Sequence, residues 1–308
     1  MAEIRNRIDK LSPERRKLLE AMIARRSPSA APPSQQSPTP QRAPVAVEGE
    51  EDTKTACRRM YDEINRQLDA GVFGEFSFFL NYGYVPALGP QFAVVTVPDH
   101  YLNGNSVRLV LELIADCPVD GRRVLDVGCG RGAIPHVLTQ FFQPASVAGL
   151  DLSPAAIAFC RRAHRHPRLH FGVGDSENLP FVDIAFDILT NLESSSCYPN
   201  VEAFYREVYR VLAPDGYFLY ADCLPPGRFQ EAKAYLEEIG LHVERDRDIT
   251  SNVLLSCDEV ARQRVQAYRG ASPELETFLG APGSQYYEDM RAGRWTYRVL
   301  RLLKKELA

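Results

Sequence analysis

Val124-Leu125-Asp126-Val127-Gly128-Cys129-Gly130-Arg131-Gly132-Ala133 is the stretch whose reading decides the fold. Arg123–Val127 is a short apolar run, the pattern of a strand buried on both faces of a parallel sheet. Three glycines follow, and residues 134–142 then read as a helix. Glycine suits such a junction because the backbone must turn tightly and admit a ligand where a Cβ would stand in its way.

Outward from this loop, strand and helix patterns alternate. Residues 147–150, 169–173, 186–192 and 217–221 read as strands. Residues 105–117, 154–164 and 201–212 read as helices. This βαβα order predicts an α/β fold, a Rossmann-like parallel sheet with helices on both faces. The last strand is expected at 296–303, and the helical stretch 225–295 before it is expected to be a second lid. Residues 53–308 thus form one predicted domain. Its first part, 53–104, is expected to be a cap: a helix over 53–70 bearing Met60, Tyr61, Ile64 and Leu68, then an aromatic run from Phe73 to Tyr84.

The 308 residues are 45% hydrophobic and 25% charged, an ordinary globular balance that rules out collagen, coiled coil and wholesale disorder. No apolar run is long enough to span a bilayer, and no secretory signal is expected from the opening residues. A net charge of −4 argues against a partner that is a nucleic acid. The seven cysteines are scattered without a CxxC pair, so neither a disulfide framework nor a metal site is expected, and a cytoplasmic setting fits. Residues 1–26 have helical apolar spacing, with Ser12-Pro13 as a helix start. That helix reads either as a solvated surface element or as a segment docking to a partner. Residues 27–52 are a Pro/Ser-rich stretch expected to be a disordered linker.

The glycine loop satisfies a loose dinucleotide pattern, Gly128-x-Gly130-x-x-Ala133, but three acids favour another ligand. Asp126 ends its strand two residues before the first glycine, where a carboxylate suits a cation and opposes a pyrophosphate. Asp151 ends the next strand, where a carboxylate accepts from ribose hydroxyls. Asp175 ends the third, within reach of an exocyclic amine. A cationic, ribose- and adenine-bearing donor is S-adenosyl-L-methionine.

The ordered segments DVGCGRG, GLDLS, GDSENLPF and VLAPDGYFLYAD resemble the signature of class I S-adenosylmethionine-dependent methyltransferases. The segments around Phe79–Tyr84, Asn191–Pro199, Asp248–Val253 and Gly283–Arg298 are similar to the phthiotriol/phenolphthiocerol dimycocerosate and polyketide-associated O-methyltransferases. LSPERRKLLEAMIARR is similar to helices that begin or join synthase modules, so a carrier protein or synthase is an expected partner of residues 1–26. The resemblance implies that Asp126, Gly128 and Gly130 hold the amino-acid end of the cofactor. It implies Asp151 at the ribose, Leu152 on the adenine, Asp175 and Ser176 at the adenine edge, and Asn191 below the sulfonium. Tyr61, Phe79, Tyr82, Tyr84, Ser196, Asn252 and Tyr286 are expected around the small-molecule acceptor.

Methyl transfer to a hydroxyl leaves a proton to remove. The pattern of the family that the chain resembles implies a histidine where this chain has Ser196, and serine is no comparable base. His100, Glu193 and Asp222 are the expected catalytic candidates. Without a strong base, carbon or nitrogen acceptors gain ground. A non-catalytic docking module and a nicotinamide-dependent oxidoreductase are the readings from other classes.

Overall fold

The computed structural model describes residues 52–70, 74, 77–86, 95, 97, 103–267 and 280–305. The expectations for residues 1–26, for 27–52 apart from its last residue, and for His100 lie outside the described residues.

The chain enters through α1 (Thr53–Ala70), where Asp52 Oδ1 caps the first turn by accepting the Thr55 N–H at 2.7 Å. Helix α2 (Gly104–Ile114) leads to β1 (Arg123–Val127), α3 (Ala133–Phe141) and β2 (Ser146–Asp151). Next come α4 (Pro154–Ala163), β3 (Leu169–Val173), β4 (Phe186–Leu192), α5 (Val201–Val211) and β5 (Leu212–Leu224). The chain ends with α6 (Pro226–Glu238), β6 (Leu241–Asp248), α7 (Thr250–Ala267), α8 (Gln285–Arg291) and β7 (Thr296–Lys304).

The sheet order is β3-β2-β1-β4-β5-β7-β6. Strands β1 to β5 pair in parallel, and β7 runs antiparallel between β5 and β6. The chain reverses its direction of travel across the sheet between β1 and β4. In such sheets a crevice opens beyond the carboxyl ends of the strands at that switch point.

Alternation along the strands divides the core into two apolar layers. In β5, Leu219 and Ala221 face the layer built on α2 and α3, while Phe218 and Tyr220 face the layer built on α5 and α6. Leu109, Leu125, Leu189, Leu236 and Leu300 are fully buried, each worth about 1.5–3 kcal/mol relative to exposure.

The expected second lid of 225–295 is shorter than its sequence suggests. Strand β6 pairs with β7 from Leu241↔Lys304 to Asp248↔Arg298, so residues 241–248 of that stretch belong to the sheet. The reason is the composition of β6. It is an edge strand carrying Glu244, Asp246 and Asp248, which pair with Arg301 and Arg298 across the ladder. Charges protect an edge and erase the apolar signal of a strand.

Helix α1 is fastened to the glycine loop by one buried side chain. Arg131 donates to the Ser77 and Gly74 carbonyl oxygens at 2.7 Å each, to Asn65 Oδ1 at 3.1 Å and to Asp69 Oδ1 at 2.7 Å. Its guanidinium lies 3.5 Å from the Phe159 ring centroid.

Candidate active site

The loop between β1 and α3 is shaped by backbone requirements. Gly128 has φ +70°, and a Cβ added there would meet Ser194 Oγ at 1.9 Å. The Gly128 and Cys129 N–H groups donate to the Leu150 carbonyl oxygen at 2.8 and 3.0 Å. The Gly130 N–H donates to Asp151 Oδ2 at 2.8 Å, and the Ser153 N–H to Asp151 Oδ1 at 2.8 Å. The loop and the end of β2 are therefore locked together, and the Asp151 carboxylate has a fixed direction.

A cavity of about 480 Å³ opens at the carboxyl ends of β1, β2, β3, β4 and β5. Its floor includes Gly128, Gly130 and Leu152. Its acids are Asp126, Asp151, Asp175, Glu177, Glu193 and Asp222. Helix α1 covers one side with Lys54, Cys57 and Tyr61, which share a face at helical spacing. Lys54 Nζ bridges Asp175 Oδ2 at 2.7 Å and Glu177 Oε2 at 2.6 Å. Leu80, Tyr82, Tyr286 and Trp295 give the cavity an apolar wall, with the Tyr286 and Trp295 rings 5.0 Å apart.

The acids differ in surroundings. Burial raises the Asp126 carboxyl to about 8, opposed by a hydrogen bond from Thr190 Oγ1 at 2.8 Å. Burial also raises Asp151, opposed by the two backbone donors that hold it. Asp222 is raised by burial and accepts from Ser195 Oγ at 2.7 Å, the Ser196 N–H at 3.1 Å and the Cys223 N–H at 2.8 Å. Glu193 sits in the left-handed region at φ 50°. Its Oε1 accepts the Tyr82 N–H at 3.0 Å and the Tyr297 hydroxyl at 2.7 Å.

A thiol–phenol cluster lies in the same wall. The hydroxyl of Tyr61 is 3.0 Å from Cys197 Sγ, and Cys57 Sγ donates to the Cys197 carbonyl oxygen at 3.7 Å. The neighbouring Cys57 thiol lowers the Cys197 thiol to about 7 against the effect of burial. The same contact pushes Cys57 up.

Seven of the eight residues expected at the cofactor line this cavity: Asp126, Gly128, Gly130, Asp151, Leu152, Asp175 and Ser176. Asn191 does not. It is fully buried behind the wall, where its Nδ2 donates to the Val127 carbonyl oxygen at 2.8 Å and to Tyr198 Oη at 3.0 Å. Of the expected acceptor contacts, Tyr61, Tyr82, Ser196 and Tyr286 line the cavity, and Phe79, Tyr84 and Asn252 do not. Phe79 packs against His136 at 6.4 Å, and Tyr84 is buried in the core layer of α2 and α3. Asn252 Nδ2 donates to the Val85 carbonyl oxygen at 2.8 Å, so it anchors the segment 77–86 instead. Glu193 and Asp222, two of the expected bases, both reach the cavity.

Among the lining residues that went unread in the sequence are Lys54, Cys57, Glu177, Cys197 and Tyr198. Cys57 stands four residues before Tyr61, a spacing that puts both on one helix face and gave the only signal available. Among the described residues, no group of three His, Cys, Asp or Glu side chains is arranged to hold a metal. Nor is any described helix long and apolar enough to cross a membrane.

A methyltransferase domain family model matches residues 125–220. The chain is 38% identical over 240 residues to a probable phthiotriol/phenolphthiotriol dimycocerosates methyltransferase of Mycobacterium ulcerans, covering 75% of this chain and 89% of the relative. It is 35% identical over 229 residues to a fatty-acid O-methyltransferase of Mycolicibacterium smegmatis, covering 73% of this chain and 83% of that one. Among solved structures, the [4+2]-cyclase SpnF superposes with a TM-score of 0.62 at 19% identity, covering 82% of this chain and 96% of the other. That likeness concerns the fold alone, since one fold hosts many chemistries.

Proposed function

The chain belongs to the class I S-adenosylmethionine-dependent methyltransferases, and from that membership we propose that it methylates a hydroxyl oxygen of a lipid-, polyketide- or peptide-like small molecule. The observation that carries this reading is one cavity that joins acid-tipped strand ends to an aromatic wall.

The residues fit the cofactor. A carboxylate has about four lone-pair sites, and the backbone of Gly130 and Ser153 occupies two of those on Asp151. The remaining two accept the paired hydroxyls of a ribose. Gly128 and Gly130 leave the space that a Cβ would fill, beside the buried Asp126, and this supports the amino-acid end there. Leu152 lies against the adenine, with Asp175 and Ser176 at its edge. Lys54 and Arg131 are the cations lining the cavity, and each is held by its own carboxylates, so a positively charged ligand meets a net acidic site.

S-adenosylmethionine supplies an electrophilic methyl on a sulfonium. The chain's own part is to bind, orient and exclude water. Holding the acceptor oxygen about 3–3.5 Å from the methyl carbon provides most of the acceleration. Leu80, Tyr82, Tyr286 and Trp295 supply the apolar surface that grips a long-chain acceptor and keeps water out. The names of the relatives support the acceptor class, a fatty acid in one and a phthiotriol lipid in the other.

In the setting of lipid or secondary metabolism, residues 1–26 act as a docking segment for the carrier protein or synthase that presents the acceptor. The free thiols support a reducing compartment, the cytoplasm. Deuterated methyl donor, incubated with the full chain and long-chain compounds bearing a carboxyl, a phenol, an amine or an activated carbon, tests the reading. Label on oxygen supports it. Label confined to nitrogen or carbon overturns it.

A further inference from the structure

We propose that Tyr61 and Cys197 together accept the acceptor's proton: the Tyr61 hydroxyl meets the acceptor O–H, and Cys197 draws the proton through it. This rests on the oxygen-acceptor reading above.

The carboxylates of the cavity are poorly placed for the task. Burial raises Asp222, but three donors already occupy its two oxygens and leave it about one lone-pair site for a further proton. Glu193 Oε1 holds the Tyr82 N–H and the Tyr297 hydroxyl, which fixes the segment 77–86 to β7. Ser196 does not ionise near neutral pH. Cys197 lies beside Ser196 in the 3-10 turn Ser195–Cys197 that follows β4. Its sulfur is 3.0 Å from the Tyr61 hydroxyl, and both side chains line the cavity.

The environment of Cys197 suits a proton acceptor. From α1, the neighbouring Cys57 thiol and the Tyr61 hydroxyl 3.0 Å from its sulfur favour the thiolate, as does Ser196 beside it. Asp222 from β5 and burial oppose this. Asp151 acts on Cys57 and Tyr61, raising both, and Tyr198 and Tyr286 feel the charge on Cys197 from the turn and from α8. The balance brings the thiol to about 7. Cys57, raised by the same contact, keeps its proton and serves as a donor to Cys197.

The step balances. The acceptor's O–H bond breaks as its O–CH3 bond forms. That proton goes to the Tyr61 oxygen while the Tyr61 proton passes to the Cys197 sulfur. The thiolate becomes a thiol and the sulfonium a neutral sulfide, so the opposite charges cancel. Cys197 returns its proton to solvent when the product leaves. Tyr61 is the residue that touches the acceptor, and Cys197 is its positioning and proton-drawing partner.

The test compares two oxygen acceptors on the full chain across pH 5.5–9: a long-chain alkylphenol, which carries a proton, and a long-chain fatty acid, already ionised there. For the wild type, kcat/KM with the phenol is expected to rise with pH through about 7. C197S and C197A lose that limb, and the ratio of phenol to fatty-acid rates falls by about 100-fold. Y61F lowers the ratio in the same direction. C57A removes a donor to the thiolate and moves the limb to higher pH. S-adenosylhomocysteine binding shows that each variant is folded, and C57A with Y61F carry the test if the Cys197 variants fail it. The proposal is overturned if the limb persists without Cys197, if both acceptors slow in parallel, or if only the fatty acid is methylated. A wild-type chain that binds S-adenosylhomocysteine and methylates neither acceptor overturns the oxygen-acceptor reading itself.

Discussion

The Gly130 N–H points at Asp151 Oδ2 from 2.8 Å, tying the glycine loop to the carboxylate that ends the neighbouring strand. The bond sets two things at once. It holds the glycine loop open, and it orients a buried acid whose free lone pairs face the cavity. Such preorganisation removes the cost of ordering the site when ligand arrives.

Gly128→Ala should remove cofactor binding and lower stability by about 2 kcal/mol or more, because φ +70° strains any side chain and the Cβ would meet Ser194 Oγ at 1.9 Å. Chemical denaturation with a parallel titration of S-adenosylhomocysteine checks both. Normal binding by a stable variant would show that the loop has room to spare.

Arg131→Met should destabilise the chain by about 3 kcal/mol or more. The guanidinium is wholly buried, and its loss strands the Gly74 and Ser77 carbonyl oxygens and the Asn65 amide oxygen. Helix α1 should then loosen before the sheet does. Hydrogen exchange is the readout: faster exchange in α1 with β1 unchanged is expected, and uniform loss of protection would contradict it.

His136 governs an acid limb of stability. Burial beside His164 lowers its imidazole to about 4, below the 6.5 of an unfolded chain. The folded chain thus binds fewer protons between those values, so stability is full above 6.5 and is lost as pH falls towards 4. The ring is partly exposed, which reduces the effect to on the order of 1–2 kcal/mol. Melting curves of H136Q should be flatter over this range than those of the wild type. Parallel curves would rule out this origin.

Tyr286→Ala should raise KM for a long-chain acceptor by about tenfold through lost apolar contact, with S-adenosylhomocysteine affinity unchanged. The ring lies 5.0 Å from that of Trp295, tilted by 54°, and both line the cavity. Equal losses for acceptor and cofactor would mean that Tyr286 supports the whole cavity rather than its acceptor end.

How much of this was legible in the sequence depends on the kind of signal. Strands β1 to β5 announced themselves through apolar runs, and Asp151 and Asp175 through their places at strand ends. Strand β6 was less plain, lying inside the stretch expected as a lid, because an edge strand rich in Glu, Asp and Arg looks like a solvated loop or helix. The aromatic run 73–84 signalled burial but not direction. Tyr82 reaches the cavity, whereas Tyr84, two residues on, is spent in the core. The family resemblance implies Asn191 as a ligand contact, yet its amide serves the Val127 carbonyl oxygen. The Cys57–Cys197 contact spans 140 positions, and no periodicity links two thiols at that separation.

Calorimetric titration of the full chain with S-adenosylhomocysteine, wild type against Asp151→Asn, tests the core of the account most directly. One site per chain is expected, with at least tenfold weaker binding in D151N, where a neutral amide replaces a charge-assisted acceptor. No heat from the wild type, or equal affinity in both, would contradict it.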